Sequence, residues 1–202
     1  MGLRERKKAE TRSALSWAAV RLTVERGFEN VKVEDIVAAA GVSPRTFNNY
    51  FASKAEAIVA RHLDRWLRFA EALRERPVGE PLWEAITGSV LPQFAPDAES
   101  AAHPIADGVQ WMAGVRKMFT EPALQGEMLR AGAVAEAEIA AAVAERTGTD
   151  LEQDLYPHLV ASAVVAATNT AMAHHLRTDR PVPVERLLAD ALARVAAGLA
   201  KP

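Results

Sequence analysis

Val33 to Lys54 read VEDIVAAAGVSPRTFNNYFASK: two short helical patterns on either side of a Gly-Val-Ser break, then a polar turn into a third helix. Val33, Ile36, Val37 and Ala40 recur at helical spacing and form one apolar face. Gly41 stands where the chain must leave that helix, a position that favours a left-handed backbone. Ser43 suits an N-cap, and Pro44 fits the first helical position behind it. In the next short helix, Phe47, Tyr50 and Phe51 can pack inward, which leaves Arg45, Thr46, Asn48 and Asn49 pointing largely outward. A short helix with an apolar back and a hydrogen-bonding front suits a DNA major groove. The stretch reads as a helix-turn-helix.

The formal net charge of −2 hides an asymmetry. Residues 1–54 carry 10 Lys/Arg against 6 Asp/Glu, a balance of +4, which leaves 14 against 20, or −6, for the rest. The basic excess coincides with the helix-turn-helix, as a footprint for phosphate should. The chain has no cysteine, which excludes disulfides and thiolate metal sites. No apolar run reaches the roughly 18 residues of a membrane span, and the charged N-terminus lacks a signal core. The expectation is a soluble cytoplasmic protein with no membrane partner.

Glu5 to Arg26 reads as a first helix stopped at Gly27, with Leu15, Ala18, Ala19 and Leu22 on its apolar face and Phe28 folding back onto it. The preceding GLRERKK either lies along DNA or frays in solvent. Ser53 and Glu56 form a capping box for a fourth helix, reaching about Arg76 and able to couple the DNA-reading unit to the remaining helices. Lys54 then falls in its first turn, where exposed N–H groups and an ammonium can share a phosphate. Further helices are expected at about 82–94, loosened by Pro92, from about 105 to 120, from Pro122 to Thr147, from a second capping box at Thr149 and Glu152 to Arg177, and from Val184 to Leu199. Ala95–Pro104 reads as a loop, and Pro181 and Pro183 separate the last two helices. With no strand-type alternation, the chain is all-α with about nine helices. It divides into a DNA-binding domain at 1–54 and a helical ligand-binding and dimerisation domain at 55–202.

The segment ERGFENVKVEDIVAAAGVSPRTFNNYFASKAEAI resembles the N-terminal domain of the TetR family of bacterial transcriptional regulators. Glu25-Arg26-Gly27-Phe28, Asp35-Ile36, Ala39 to Ser43, Tyr50-Phe51 and Ser53-Lys54 stand at family spacing. The resemblance implies a homodimeric repressor, released from its operator when a small molecule enters the C-terminal domain. It maps phosphate and base contacts onto Lys32, Ser43, Pro44, Arg45, Thr46, Asn48, Tyr50 and Lys54. Three positions depart from the family. Lys32 replaces a Thr that often caps the second helix, losing a cap and adding a charge that can meet phosphate. Thr23 stands where an aromatic is common, and Trp17 where a polar, exposed residue is usual; the sequence leaves open whether Trp17 packs against helix four.

Arg45 is the first candidate for reading a base, because its fork matches guanine O6 and N7; a phosphate contact is the alternative. Asn48 and Asn49 can pair with adenine, or one of them can face backbone. Tyr50 has a ring suited to the core and a hydroxyl that can reach phosphate, while Phe47 belongs mainly to packing. One recognition helix contacts few bases, so a two-fold dimer reading two half-sites of a palindrome, roughly 34–36 Å apart, is expected. The last two helices are its expected seat. Leu188, Ala191, Leu192, Val195 and Leu199 form a stripe on one, and Leu155, Leu159, Ala163, Ala166, Ala167 and Ala171 a small-residue face on the other. Packing within one chain is the alternative for both.

For an effector, Trp66, Trp83, Phe94, Trp111, Met112, Phe119 and Met172 are the candidate apolar lining, set against plain core, with Asn169 among the polar candidates beside Gln110, His174 and His175. A small apolar or aromatic molecule fits that composition. A helix-turn-helix dimer with no small-molecule effector is the other reading. His174 and His175 face about 100° apart on a helix, His62, His103 and His158 have no ligand spacing, and no metal or cofactor is expected. With no Gly-rich phosphate loop, cysteine nucleophile or H-E-x-x-H, the chain does not read as an enzyme.

Overall fold

Two glycines at positive φ, Gly27 (+83°) and Gly41 (+66°), follow the ends of the first two helices, where a residue without Cβ turns the chain without strain. The computed structural model describes residues 2–95, 101, 105, 107–178 and 182–199. The elements are α1 (Leu3–Arg26), a 3-10 turn (Phe28–Asn30), α2 (Val33–Ala39), α3 (Pro44–Asn48), α4 (Lys54–Glu75) and α5 (Leu82–Val90). A second 3-10 turn (Leu91–Phe94), α6 (Gly108–Phe119), α7 (Pro122–Thr147), α8 (Leu155–Arg177) and α9 (Val184–Ala196) complete the order. Among the described residues there are nine α-helices and no strand. Most of the expected Ala95–Pro104 loop, including His103, and Pro181 lie outside the described residues.

The chain packs as two compact units, 1–62 with 96–131 and 63–95 with 132–202; two of the three divisions fall inside α4 and α7. In the first unit, α1 extends over the N-terminal arm to Leu3, with Arg4 to Lys8 exposed. Its core holds Leu15, Ala19 and Leu22 of α1, Ile36 and Val37 of α2, Phe47 of α3, and Phe51, Ala57 and Ile58 around the start of α4. Trp17 is buried with its ring 5.7 Å from that of Trp111 on α6, and the guanidinium of Arg61 on α4 lies 4.8 Å from the Trp17 centroid. Trp17 therefore meets the fourth helix through a cation on a ring.

In the second unit, Trp66, Phe69 and Leu73 of α4, Ile86 and Val90 of α5, Ile139 and Val143 of α7, and Val160 and Val164 of α8 share one apolar cluster with Leu192 of α9. A polar clamp closes the link between α4 and α5. Arg146 of α7 donates to the carbonyls of Arg76 (3.2 Å), Pro77 (2.6 Å) and Glu80 (2.8 Å). Arg76 pairs with the Glu80 carboxylate. The hydrogen bond from Arg76 holds the Glu80 carboxyl below its ordinary range against the opposing effect of burial, with the charges of Arg76 and Arg146 adding to it.

Two sequence expectations change here. Helix α8 begins at Leu155, not at Thr149. The Thr149 hydroxyl bonds to that of Thr147, while Asp150 Oδ1 accepts the N–H groups of Glu152 and Gln153 in a turn whose own N–H goes to Asp154. The carboxylate at 150 outcompetes the hydroxyl at 149 for those amides. The terminal stripe follows the intrachain alternative at four of its five positions, while Leu199 stays exposed. Leu188 and Leu192 are fully buried within this chain, and Ala191 and Val195 pack on the same core, so α9 turns its apolar face inward. On α8, Ala167 and Ala171 are buried as well, whereas Leu155, Leu159 and Ala166 stay exposed.

Candidate nucleic-acid interface

The reading head is assembled by local caps. Ser43 Oγ accepts the Thr46 N–H at 3.1 Å and bonds to the Thr46 hydroxyl at 2.9 Å, which starts α3 behind Pro44. Phe47 is buried with its ring 5.7 Å from Phe51, so the opposite face of α3 is fixed outward. That face carries Arg45, Asn48 and Asn49, all exposed, with Pro44 at its start. Tyr50 is half-buried, its ring 6.4 Å from Phe51. The arrangement presents a forked cation and two amides on a helix one and a half turns long, held from behind by aromatic packing.

Lys32 is exposed at the N-cap of α2 and offers no side-chain acceptor, yet the helix start is not left bare. The Asp35 carboxylate accepts the Lys32 N–H at 2.9 Å and lies 3.7 Å from Arg26. This half of a capping box, carried by Asp35, compensates for the absent hydroxyl. The Ser53–Glu56 box is reshaped similarly: Ser53 Oγ accepts the Glu56 N–H at 3.0 Å, and the Glu56 carboxylate accepts from Ala52 N–H.

Lys54 has inward partners. Its ammonium donates to the carbonyls of Phe28 (2.7 Å) and Val31 (2.9 Å) and lies 3.9 Å from the Phe28 ring centroid. Two of its three donors are thus engaged by the segment between α1 and α2, leaving one for a phosphate. The Phe28 ring, expected on the face of α1, covers this cation. Patterning did not assign Phe28 to holding Lys54 or Asp35 to capping α2. An acid three residues behind a helix start was the available signal for Asp35.

A model of the family described as "Bacterial regulatory proteins, tetR family" matches residues 17–60, and one described as "MftR C-terminal domain" matches residues 80–200. The chain belongs to the TetR family of bacterial transcriptional regulators. Like other TetR-family members it is a DNA-binding regulator with an N-terminal helix-turn-helix, and not an enzyme. It is similar to the HTH-type transcriptional regulator TcmR of Streptomyces glaucescens, at 32% identity over 179 residues, 88% of this chain and 79% of that one. A protein named as the mycofactocin biosynthesis transcriptional regulator MftR, from Mycobacterium tuberculosis, is 29% identical over 198 residues, 96% of this chain and 93% of that one. In fold, the chain resembles a TetR-family regulator from Rhodococcus, with a TM-score of 0.57 at 21% identity, covering 94% of this chain and 98% of that one.

The residues expected around a TetR-type effector are distributed over both units. Trp66 is fully buried with its ring edge-on to Phe69, and Trp83 and Phe94 pack half-buried against the same cluster. Arg65 lies 4.4 Å from the Phe94 centroid and donates to the Gln93 carbonyl at 3.0 Å. Met172 is half-buried on α8, and Asn169 is exposed there, because the inward side of that turn is taken by Val165 and Thr168. Trp111, Met112 and Phe119 belong to the first unit, where Trp111 meets Trp17 and Phe119 is 42% exposed. Gln110 and His174 are exposed, and His175 Nδ1 bonds to the Val182 carbonyl at 3.0 Å. Among the described residues, no three His, Asp or Glu side chains gather as metal ligands, and no helix is long and apolar enough to cross a membrane.

Proposed function

We propose that the chain is a homodimeric repressor that holds a palindromic operator and releases it when a small apolar or aromatic molecule enters the helical unit beside Trp83 and Phe94. One observation carries the dimer. Leu155 and Leu159 on α8 are 68% and 56% exposed, and Tyr156 and Ala166 extend their surface. Apolar area of this kind is unfavourable in water, and a second copy seated on it by a two-fold axis removes it from solvent. The same axis brings a second α3 to a second half-site. The interface is carried by α8, with α9 spent on the intramolecular core. Lys32, Pro44, Arg45, Asn48, Asn49 and Tyr50 contact DNA in this reading, with Ser43 and Thr46 holding α3 and Lys54 giving its remaining donor.

Trp66 is closely packed, so the effector enters where side chains are only half-buried, next to Trp83 and Phe94. Effector and operator must then weaken each other by one factor. Footprinting of genomic fragments at moderate salt, followed by titration with aromatic and acyl compounds, tests both aspects. A protected palindrome that one of these compounds releases is the expected result. No protected palindrome would sink the repressor reading, and a footprint that none of them weakens would favour a dimer without a small-molecule effector.

A further inference from the structure

The unit that reads DNA is built from two separated stretches of chain, and the second contributes α6. That helix lies unusually close to α1. A Cβ built on Gly114 would fall 2.3 Å from the Val24 carbonyl oxygen and 2.7 Å from Val24 Cγ1, so nothing larger than glycine fits without moving a backbone. Almost one turn earlier on α6, Trp111 meets Trp17, which in turn carries Arg61 of α4. Beyond Gly114, Lys117, Met118 and Glu121 wall a cleft of about 190 Å³ whose opposite side includes Gly27 and Phe28. Phe28 is the residue whose carbonyl and ring hold Lys54 at the start of α4.

We infer that α6 braces the reading head, with Gly114 and Trp111 as positioning residues for DNA recognition. Three contacts act in series. Gly114 sets the depth of α6 on α1, the Trp111–Trp17–Arg61 contacts tie α6 to α1 and α4, and the Phe28 segment lines the cleft beside α6 while holding Lys54. Recognition helix α3 is bounded by α2, which comes directly after that segment, and by α4, which Lys54 begins. Lifting α6 therefore lowers the fraction of molecules whose α3 is in reading geometry, and apparent affinity falls by that fraction. Phosphate attraction, which needs no such registry, is left in place.

The test uses the full chain, a duplex that the wild type selects from a random pool, and a scrambled duplex of equal length. Gly114→Ala is the main variant, and Gly126→Ala, a helical glycine of the same unit with open space around it, is the control. Alanine favours a helix over glycine, so any loss arises at the crossing and not within α6. Gly114→Ala should bind the selected duplex about tenfold more weakly and the scrambled duplex within about twofold of wild type. Amide exchange over Phe28–Val31 should rise, and Gly126→Ala should match wild type. If Gly114→Ala does not fold, Trp111→Leu carries the same comparison. Equal weakening on both duplexes, or wild-type binding on both, overturns the proposal. A wild type that selects no duplex at all would instead overturn DNA recognition itself.

Discussion

The Lys54 ammonium donates to the Phe28 carbonyl at 2.7 Å and lies 3.9 Å from the ring centroid of that same residue. One side chain at the start of α4 thereby grips both the backbone and the side chain of the turn after α1. Lys54→Met keeps the stem and removes the cation. It should destabilise the chain by about 1–2 kcal/mol in urea unfolding, because two carbonyls lose a charged donor in a half-buried place. Unchanged stability, with uniformly weaker DNA binding and a shallower salt dependence, would make Lys54 chiefly a phosphate contact.

Arg45 and Phe47 are two residues apart on α3 and should fail in opposite ways. Arg45→Ala is expected to leave the unfolding midpoint nearly unchanged, since the side chain is exposed, while erasing about 1–3 kcal/mol of discrimination at one base pair. Phe47→Ala empties a fully buried site and should cost about 3–5 kcal/mol of stability. Competition binding against single-base variants of the selected duplex, beside urea titrations, separates the two.

The clamp between α4 and α5 predicts an acid-sensitive joint. Arg76 holds the Glu80 carboxyl below its ordinary range in the folded chain, so the pair stabilises the fold fully above the ordinary glutamate pKa. That contribution fades as pH falls below the ordinary value and is lost through the folded one. Glu80→Gln should therefore lower stability at neutral pH and flatten its acid limb; parallel limbs in thermal melts from pH 7 to pH 3 would refute the assignment. Arg146→Met should cost about 1–3 kcal/mol at all these pH values, since it strips the donor from the carbonyls of Arg76, Pro77 and Glu80.

Leu159 is the point at which to break the proposed dimer. Leu159→Arg replaces an exposed apolar side chain, leaves the core of α8 intact, and sets like charges near one another across a two-fold axis. Sedimentation should shift from dimer to monomer. Affinity for the full palindrome should drop by at least about 100-fold as the half-sites lose their linkage. A dimer that survives the change would move the interface elsewhere.

Elements whose geometry is dictated locally were legible in the chain. Gly41, Ser43 and Pro44 act on their own neighbours, so α2, α3 and the break between them follow from residue type alone. Thr149 shows the boundary of that approach: a capping motif was present, but Asp150 claimed the amides first. Periodicity announces that a face is buried and leaves its partner unnamed. The stripe of α9 was visible, yet only the packing revealed that Leu188 and Leu192 meet their own chain. Trp111 was likewise legible as an apolar helix position. Its partner Trp17 is 94 positions away in the sequence, and no pattern within a helix encodes such a pairing.

Trp17 packs against a helix that enters the chain long after the helix-turn-helix has ended, and this bears on how such regulators can be recombined. A chimera that grafts residues 1–62 onto a foreign sensor carries Trp17 and Val24 without Trp111 and Gly114. The host helix would have to offer an aromatic and a glycine three residues apart, in register, or leave an indole face wet and the graft prone to stick to its neighbours. Portability of this DNA-binding head is thus limited by a four-residue lock, half of which lies beyond the N-terminal segment that a graft would carry.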